Sequence, residues 1–60
     1  MQIIIKQKHG IVMSESVSGL VEAKSRSLEI FQEGKFWYDP ELSGYVYWAP
    51  RQISYVKIEE

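Results

Sequence analysis

The absence of cysteine from a chain of only sixty residues is the feature that most limits how this protein can fold. A chain of this length buries about 60% of the surface that its unfolded form exposes. A single core of this size rarely supplies more than ~3–5 kcal/mol of folding free energy, so proteins of this size commonly add disulfides or a metal. A disulfide and a thiolate metal site are both impossible here, and His9 is the only histidine. We therefore expect one domain over residues 1–60, reinforced by aromatic packing and by oligomerisation.

The second half of the chain predicts strands. All eight aromatic residues lie between Phe31 and Tyr55. Four runs are rich in the aromatic and β-branched side chains that favour strands, namely residues 27–32, 35–38, 45–48 and 53–58. Glu33 and Gly34, between the first two runs, predict a two-residue hairpin turn. Pro40 and Pro50 mark the later breaks between strands. The pattern predicts an antiparallel meander of four strands.

The first half of the chain allows two interpretations. Residues 2–7 predict a strand that turns at Gly10. Residues 11–26 form either two further strands, 11–17 and 20–25, or a short helix within residues 16–26. The helix contains good helix formers, but Gly19 costs about 1 kcal/mol if it lies inside. We favour the two strands and keep the helix as the alternative.

The strand interpretation determines the predicted fold class. In a continuous strand over residues 20–32, the apolar side chains would switch from one face to the other between Ala23 and Leu28. Such a strand requires a bulge near residues 25–27. Long bent strands are typical of small closed barrels. We therefore predict a mainly β domain, an antiparallel meander of five or six strands curled into a barrel-like or strongly twisted sheet.

Alternation along the predicted strands separates a core from an outer face. The predicted core consists of Ile3, Ile5, Leu28, Ile30, Phe36, Val46, Trp48, Val56 and Ile58. The outer face then carries Trp37, Tyr45, Tyr47 and Tyr55. Residues 3–5 are all isoleucine and therefore apolar on both faces, which indicates burial against a second chain or inside a closed barrel.

The sequence offers little that could support catalysis. A nucleophile or a general acid needs a positioned partner, and His9 stands alone beside Gly10 in a predicted turn. Asp39 and Glu41 flank Pro40, where an aspartate commonly bonds its own backbone. The glycines are isolated, and no loop has the spacing of a metal site. We expect no enzymatic activity, no metal and no cofactor.

Binding is the function class that the composition favours. Tyrosine, tryptophan and arginine are the residues most enriched at interface hot spots. We predict a partner-binding surface that contains Trp37, Tyr45, Tyr47 and Tyr55, oriented by Arg51 and Lys57. The predicted function is that of a small regulatory or adaptor protein that binds a protein partner or itself as a homo-oligomer.

Single-stranded nucleic acid is the alternative partner for the same surface. Exposed aromatics stack bases, and Lys35, Arg51 and Lys57 could contact phosphates. The net charge of -1 and a pI near 5.8 weaken this alternative, because phosphate neutralisation supplies much of the affinity.

The predicted location is the cytoplasm, with no membrane partner. The N-terminal apolar run is shorter than the roughly 7–15 residues of a secretory signal, and no window approaches the ~20 apolar residues of a membrane span. In size, acidity and lack of cysteine the chain resembles the small accessory proteins of bacteria and their phages. That likeness rests on no motif and transfers no residue role.

Overall fold

The computed structural model describes all sixty residues, which form five strands and one helix in two antiparallel sheets. The elements follow in the order β1 (Gln2–Gln7), β2 (Val12–Ser16), α1 (Leu20–Glu33), β3 (Lys35–Asp39), β4 (Gly44–Trp48), a 3-10 turn (Pro50–Gln52) and β5 (Ile53–Glu59). One sheet has the strand order β2–β1–β5, and the other is the β3–β4 hairpin. The prediction of a mainly β fold is confirmed. The sheets do not close into a barrel, and the chain is not a meander, because β5 returns to pair with β1.

β1 is the central strand of the three-stranded sheet. Ile3 and Ile5 face inward and are fully buried, whereas Ile4 lies on the opposite face and is half-buried. Neighbouring strands therefore cover both edges of the isoleucine run. A second chain or a closed barrel, which the sequence suggested for this run, is not needed to explain it. A register shift between Lys6 and Gln7 ends the regular pairing with β5.

Residues 20–33 form one helix where the sequence favoured strands. Glu22 fixes its first turn, because the carboxylate accepts hydrogen bonds from the backbone N–H and the hydroxyl of Ser18. Gly34, at φ 87°, ends the helix and donates its N–H to the Ile30 carbonyl. The strands predicted over residues 20–25 and 27–32, and the bulge between them, are therefore wrong. The helix predicted within residues 16–26 is correct in type, but it begins at Leu20 and continues to Glu33.

Only a narrow side of α1 packs against the rest of the chain. Ala23 and Ile30 are fully buried, and they share that side because they are about two helical turns apart. Leu28, predicted to lie in the core, points away and is 62% exposed. Two residues of the helix therefore contribute to the core, and most of its other apolar side chains remain exposed.

The core is small and draws on every helix and strand except β2 and β3. Its fully or nearly buried apolar residues are Ile3, Ile5, Val17, Ala23, Ile30, Trp48 and Ile53, and Met13, Trp37, Val46, Val56 and Ile58 pack against it. Most of the predicted core is therefore confirmed. Leu28 and Phe36 are the wrong predictions, and Val17, Ala23 and Ile53 were not predicted.

The β3–β4 hairpin is closed by the turn that the sequence predicted. The Asp39 carboxylate accepts the backbone N–H of Glu41 over 2.9 Å, and the Ser43 N–H bonds to the Pro40 carbonyl over 3.3 Å. Asp39 pairs with Gly44, so the loop between them has an even number of residues. That register decides which aromatic side chains face the core and which face solvent.

Candidate protein-binding surface

Four aromatic side chains cover the outer side of the β3–β4 hairpin. Phe36 and Tyr38 come from β3, and Tyr45 and Tyr47 come from β4. Their exposed fractions are 66%, 52%, 77% and 44% in that order. Alternation along a strand places these positions on one side of the hairpin. We call this set of four residues the aromatic face.

The aromatic face is organised as two cross-strand pairs. Phe36 lies opposite Tyr47, with ring centroids 4.6 Å apart and planes inclined by 37°. Tyr38 lies opposite Tyr45, with centroids 5.4 Å apart and planes at 86°. Each such pair stabilises a sheet by about 0.2–1 kcal/mol. The rings therefore hold one another in place while much of their surface stays accessible.

The end of α1 anchors one edge of the aromatic face. The Tyr47 hydroxyl donates a hydrogen bond of 2.7 Å to the backbone carbonyl of Glu33. Gly34 allows this close approach, because a Cβ at that position would lie 2.7 Å from the Tyr47 hydroxyl oxygen and closer still to the Trp48 carbonyl. Tyr47 is consequently the most restrained ring of the four and Tyr45 the most exposed.

The inner side of the hairpin carries the tryptophans. Trp37 lies opposite Val46, and its ring packs edge-on against Trp48 with a centroid distance of 5.8 Å. Both tryptophans belong to the core packing, and Trp48 is 4% exposed. The Trp37 indole N–H is buried without a hydrogen-bond acceptor. Trp37 is thus a packing residue of the hairpin rather than part of its exposed surface.

The structure divides the six predicted binding residues among separate parts of the molecule. Tyr45 and Tyr47 lie on the aromatic face, and Trp37 lies on its reverse. Tyr55 and Lys57 are exposed on the outer side of the three-stranded sheet, where Tyr55 pairs with Lys6 of β1. Lys57 forms an ion pair with Glu59 over 3.4 Å. Arg51 is exposed in the 3-10 turn and belongs to neither sheet.

Phe36 and Tyr38 are the surface residues that sequence reasoning missed. The signal was present in the loop length. An even number of loop residues in a hairpin pairs odd positions with even ones, so Trp37 must share a side with Val46 and Trp48. Once Val46 and Trp48 are assigned to the core, Phe36 and Tyr38 have to lie outside.

Lys35, the cation nearest to the aromatic rings in the sequence, is bound to a carboxylate on the inner side of the molecule. Lys35 opens β3, and its ammonium binds the Glu15 carboxylate of β2, with its side chain only 11% exposed. Arg26 of α1 donates to the same carboxylate through Nε over 2.6 Å and Nη2 over 3.1 Å. Arg26, with further help from Lys35, holds the pKa of Glu15 below its ordinary value, and Glu15 in turn raises the pKa of Arg26. This cluster ties β2, α1 and β3 together on the inner side.

A second exposed apolar surface runs along α1. Leu20, Val21, Leu28 and Phe31 are 48%, 85%, 62% and 43% exposed. At 100° per residue they fall on one side of the helix, with Lys24 between them. We call these four apolar residues the helix stripe.

The rest of the surface offers no enclosed site. The molecule has no detectable pocket, and no group of three or more His, Asp or Glu side chains converges. His9 is exposed, and its backbone N–H bonds to the buried Gln7 side chain over 2.9 Å. The helix of this protein lacks the length and apolar character needed to cross a membrane. No protein-family model, no curated protein and no solved structure matches this chain.

Proposed function

We propose that this protein is a small, non-catalytic intracellular regulatory or adaptor protein that binds a protein partner through the aromatic face. The observation that carries the proposal is the clustering of Phe36, Tyr38, Tyr45 and Tyr47 on one exposed side of a hairpin. Aromatic residues held outside in this way leave apolar surface in contact with water. Such patches mark interaction sites more often than scattered exposed residues do.

The size of the aromatic face suits the centre of a protein interface. Four rings with these exposures present on the order of 400 Å² of surface, about half of the ~800 Å² that one partner contributes to a standard interface. Tyrosine is also among the residues that supply most of the binding free energy when it is desolvated at the centre of an interface. The rigid pairing of the rings lowers the entropy lost on binding.

Nucleic acid remains the second candidate partner because exposed rings can stack bases. The charge distribution favours protein over nucleic acid. Lys35, which the sequence suggested as a phosphate contact, is bound to Glu15 on the inner side, and Lys57 and Arg51 lie off the hairpin. A titration with a labelled single-stranded oligonucleotide at two salt concentrations tests this alternative. We expect no binding at low salt, and affinity that falls steeply with added salt would favour nucleic acid.

Self-association is the second part of the proposal, and it rests on the helix stripe. The stripe has apolar residues at both ends, Leu20 with Val21 and Leu28 with Phe31. Two copies of α1 packed antiparallel about a two-fold axis would bring the first end of each against the second end of the other. Lys24 can direct its ammonium out of such a contact along its flexible stem. A dimer of this kind would supply the stabilisation that a core of seven residues does not.

Affinity capture with two matched variants tests the partner-binding role. Phe36→Ser/Tyr45→Ser removes two rings of the aromatic face, and Tyr55→Ser removes an exposed tyrosine from the other sheet. We expect the wild type and Tyr55→Ser to retain the same nuclease-resistant protein partner, and the double variant to lose it. Retention of that partner by a folded double variant would refute the assignment.

Molar mass measured by light scattering over a range of concentrations tests self-association. We expect a dimer for the wild type and a monomer for Val21→Ser/Leu28→Ser. The aromatic-face variant should remain dimeric. A wild-type protein that stays monomeric at high concentration would remove this part of the proposal and leave partner binding untouched.

A further inference from the structure

We propose that the aromatic face recognises a basic segment of its protein partner, with an arginine or lysine side chain placed against the Tyr38–Tyr45 pair. This inference rests on the proposed function and specifies the chemistry of the partner. It follows from the local charge around the rings and from their arrangement.

The hairpin and the end of α1 that precedes it are acidic. Residues 33–48 contain the three acids Glu33, Asp39 and Glu41 and the single cation Lys35. The ammonium of Lys35 is bound to Glu15 and its side chain is 11% exposed, so it contributes little positive charge to solvent. Glu33 and Glu41 are exposed at the two ends of the hairpin, at the helix end and in the loop. A ligand on the aromatic face therefore lies between carboxylates and meets no free ammonium or guanidinium group from this segment.

The rings add an attraction for cations of their own. The face of an aromatic ring carries partial negative charge, and a cation over it gains about 0.5–1 kcal/mol at an exposed site. Tyr38 and Tyr45 stand nearly perpendicular, at 86°, with 52% and 77% of their surface exposed. Perpendicular rings can direct two faces towards one ligand, which is how aromatic cages hold ammonium groups.

The flat shape of the surface favours arginine over a compact ligand. No pocket lies on the hairpin, so the ligand group has to bind by lying on a ring. A guanidinium is planar, stacks on aromatic rings and is more weakly hydrated than an ammonium. The remaining N–H donors of such an arginine suit a carboxylate, and Glu41 lies in the loop next to the Tyr38–Tyr45 pair. A purely apolar partner would use the rings but would leave the carboxylates of this segment without a partner, and a nucleic acid would be repelled by them.

Peptides of matched shape test this inference without altering the protein. The probes are four labelled extended peptides that alternate serine with arginine, lysine, citrulline or glutamate, titrated by fluorescence anisotropy. Citrulline keeps the planar shape and most of the donors of arginine but has no charge. We expect affinity to decrease in the order arginine, lysine, citrulline and glutamate, with citrulline about threefold or more weaker than arginine. Equal affinity for arginine and citrulline would overturn the inference.

Variants of the protein then locate the binding site. Tyr45→Leu keeps an apolar side chain and removes the ring, so the arginine peptide should bind about two- to fivefold more weakly while the citrulline peptide changes little. Tyr55→Leu is the matched control on the other sheet and should bind both peptides as the wild type does. Glu33→Gln/Glu41→Gln should weaken the arginine peptide and lessen the dependence of its affinity on salt. Equal weakening by Tyr45→Leu and Tyr55→Leu would place the peptide elsewhere and overturn the inference.

Failure of this inference differs from failure of the proposed function. If the peptides do not distinguish charge but a captured protein partner is still lost in Phe36→Ser/Tyr45→Ser, the aromatic face binds protein through apolar contact and only the inference falls. If the folded double variant still captures the partner and still binds the peptides as the wild type does, the proposed function falls as well.

Discussion

The two sheets of this protein differ in the residues that they expose to solvent. The outer side of the three-stranded sheet is mostly polar or charged, with residues such as Ser14, Ser16 and Lys57. Its apolar members are Ile4, Val12 and a single aromatic residue, Tyr55. The outer side of the hairpin consists of aromatic rings along both strands. Both sheets are antiparallel, and both place their inner side against the same core.

The contrast shows that exposed aromatics are not a general consequence of small size in this chain. The three-stranded sheet follows the ordinary pattern of an antiparallel sheet, apolar inside and mostly polar outside. The hairpin could have done so with threonine or lysine at the same four positions, since strand propensity does not require aromatics there. Strand formation therefore does not explain the aromatic face, and this is the reason for proposing a binding role for it.

The largest effect is expected where the helix meets the hairpin. Gly34→Ala places a Cβ too close to the Trp48 carbonyl and forces a non-glycine residue to φ 87°. We expect a loss of about 3 kcal/mol or more, which is comparable with the whole folding free energy of a protein of this size. Gly19→Ala is the control, because its backbone is extended and no atom lies within 4 Å of the added Cβ. Urea titration followed by tryptophan fluorescence measures both, and equal stabilities would show that the junction tolerates movement.

The next effect distinguishes the two sides of the three-stranded sheet. Ile5→Ala creates a cavity at a fully buried position, at a cost of about 2–4 kcal/mol. Ile4→Ala removes the same atoms from the half-buried outer side, where we expect about 1 kcal/mol or less. Thermal unfolding by circular dichroism provides the comparison. Similar losses for the two variants would mean that the outer side of this sheet is also covered, and the contrast with the hairpin would weaken.

A smaller effect concerns the charged link between the two sheets. Glu15→Gln leaves Arg26 and Lys35 without their shared carboxylate, and we expect a loss of about 1 kcal/mol near neutral pH because the cluster is partly exposed. The folded-state pKa of Glu15 is lowered, so its stabilisation is complete above the ordinary glutamate pKa of about 4.3 and is lost as the pH falls through the lower folded value. The variant should therefore lose less stability between pH 6 and strongly acidic conditions than the wild type, as measured by urea titration. Parallel pH profiles would contradict this assignment.

The smallest effect on stability is expected on the aromatic face itself. Phe36→Ser/Tyr45→Ser removes one ring from each cross-strand pair, at a combined cost of about 1 kcal/mol. The double variant should remain folded by circular dichroism while it loses partner binding. A loss comparable with that of Ile5→Ala would indicate that these rings serve the fold, and the contrast between the sheets would then have a structural explanation.

The strands could be predicted from the sequence more readily than the helix. In β1, β4 and β5 most of the residues that alternate towards the core are apolar, so the period of two is visible apart from the buried Gln7 and the register shift after Ile53. In α1 only Ala23 and Ile30 are buried, while Leu20, Val21 and Leu28 are exposed. The apolar residues therefore do not mark the buried side, and the helical period is obscured. Gly19 lies just before the helix, so the penalty weighed against the helix does not apply.

The sequence marked Gly34 as part of a hairpin turn, whereas in the structure its positive φ ends a helix. A glycine with positive φ serves equally as the turn of a hairpin and as the end of a helix. The residues around it could not distinguish these roles, because residues 27–32 suit a strand as well as a helix. Packing of Ile30 against the sheet decides for the helix, and that contact is not visible in local sequence.

Half of the aromatic face was predictable from the sequence. Tyr45 and Tyr47 were assigned to it because they alternate with Val46 and Trp48, which were predicted to lie in the core. Trp37 was placed outside because Phe36 was assigned to the core, and the register of the hairpin reverses both. Tyr55 and Lys57 alternate correctly with Val56 and Ile58, but pairing of β5 with β1 carries them to the other sheet. Such long-range pairing depends on the whole chain, whereas alternation depends only on neighbours.

The position of β1 between β2 and β5 has a consequence for synthesis. The central strand of the larger sheet is translated before both of its partners, and one of them, Ile53–Glu59, follows only after β2, α1 and the β3–β4 hairpin. At about 5–20 residues per second, roughly 3–10 seconds separate the two strands on the ribosome. During that interval Ile3 and Ile5 lack the Val56 and Ile58 side chains that lie opposite them in the finished sheet. The nascent chain therefore carries an unpaired apolar strand edge, and folding of this sheet is completed only once β5 has emerged.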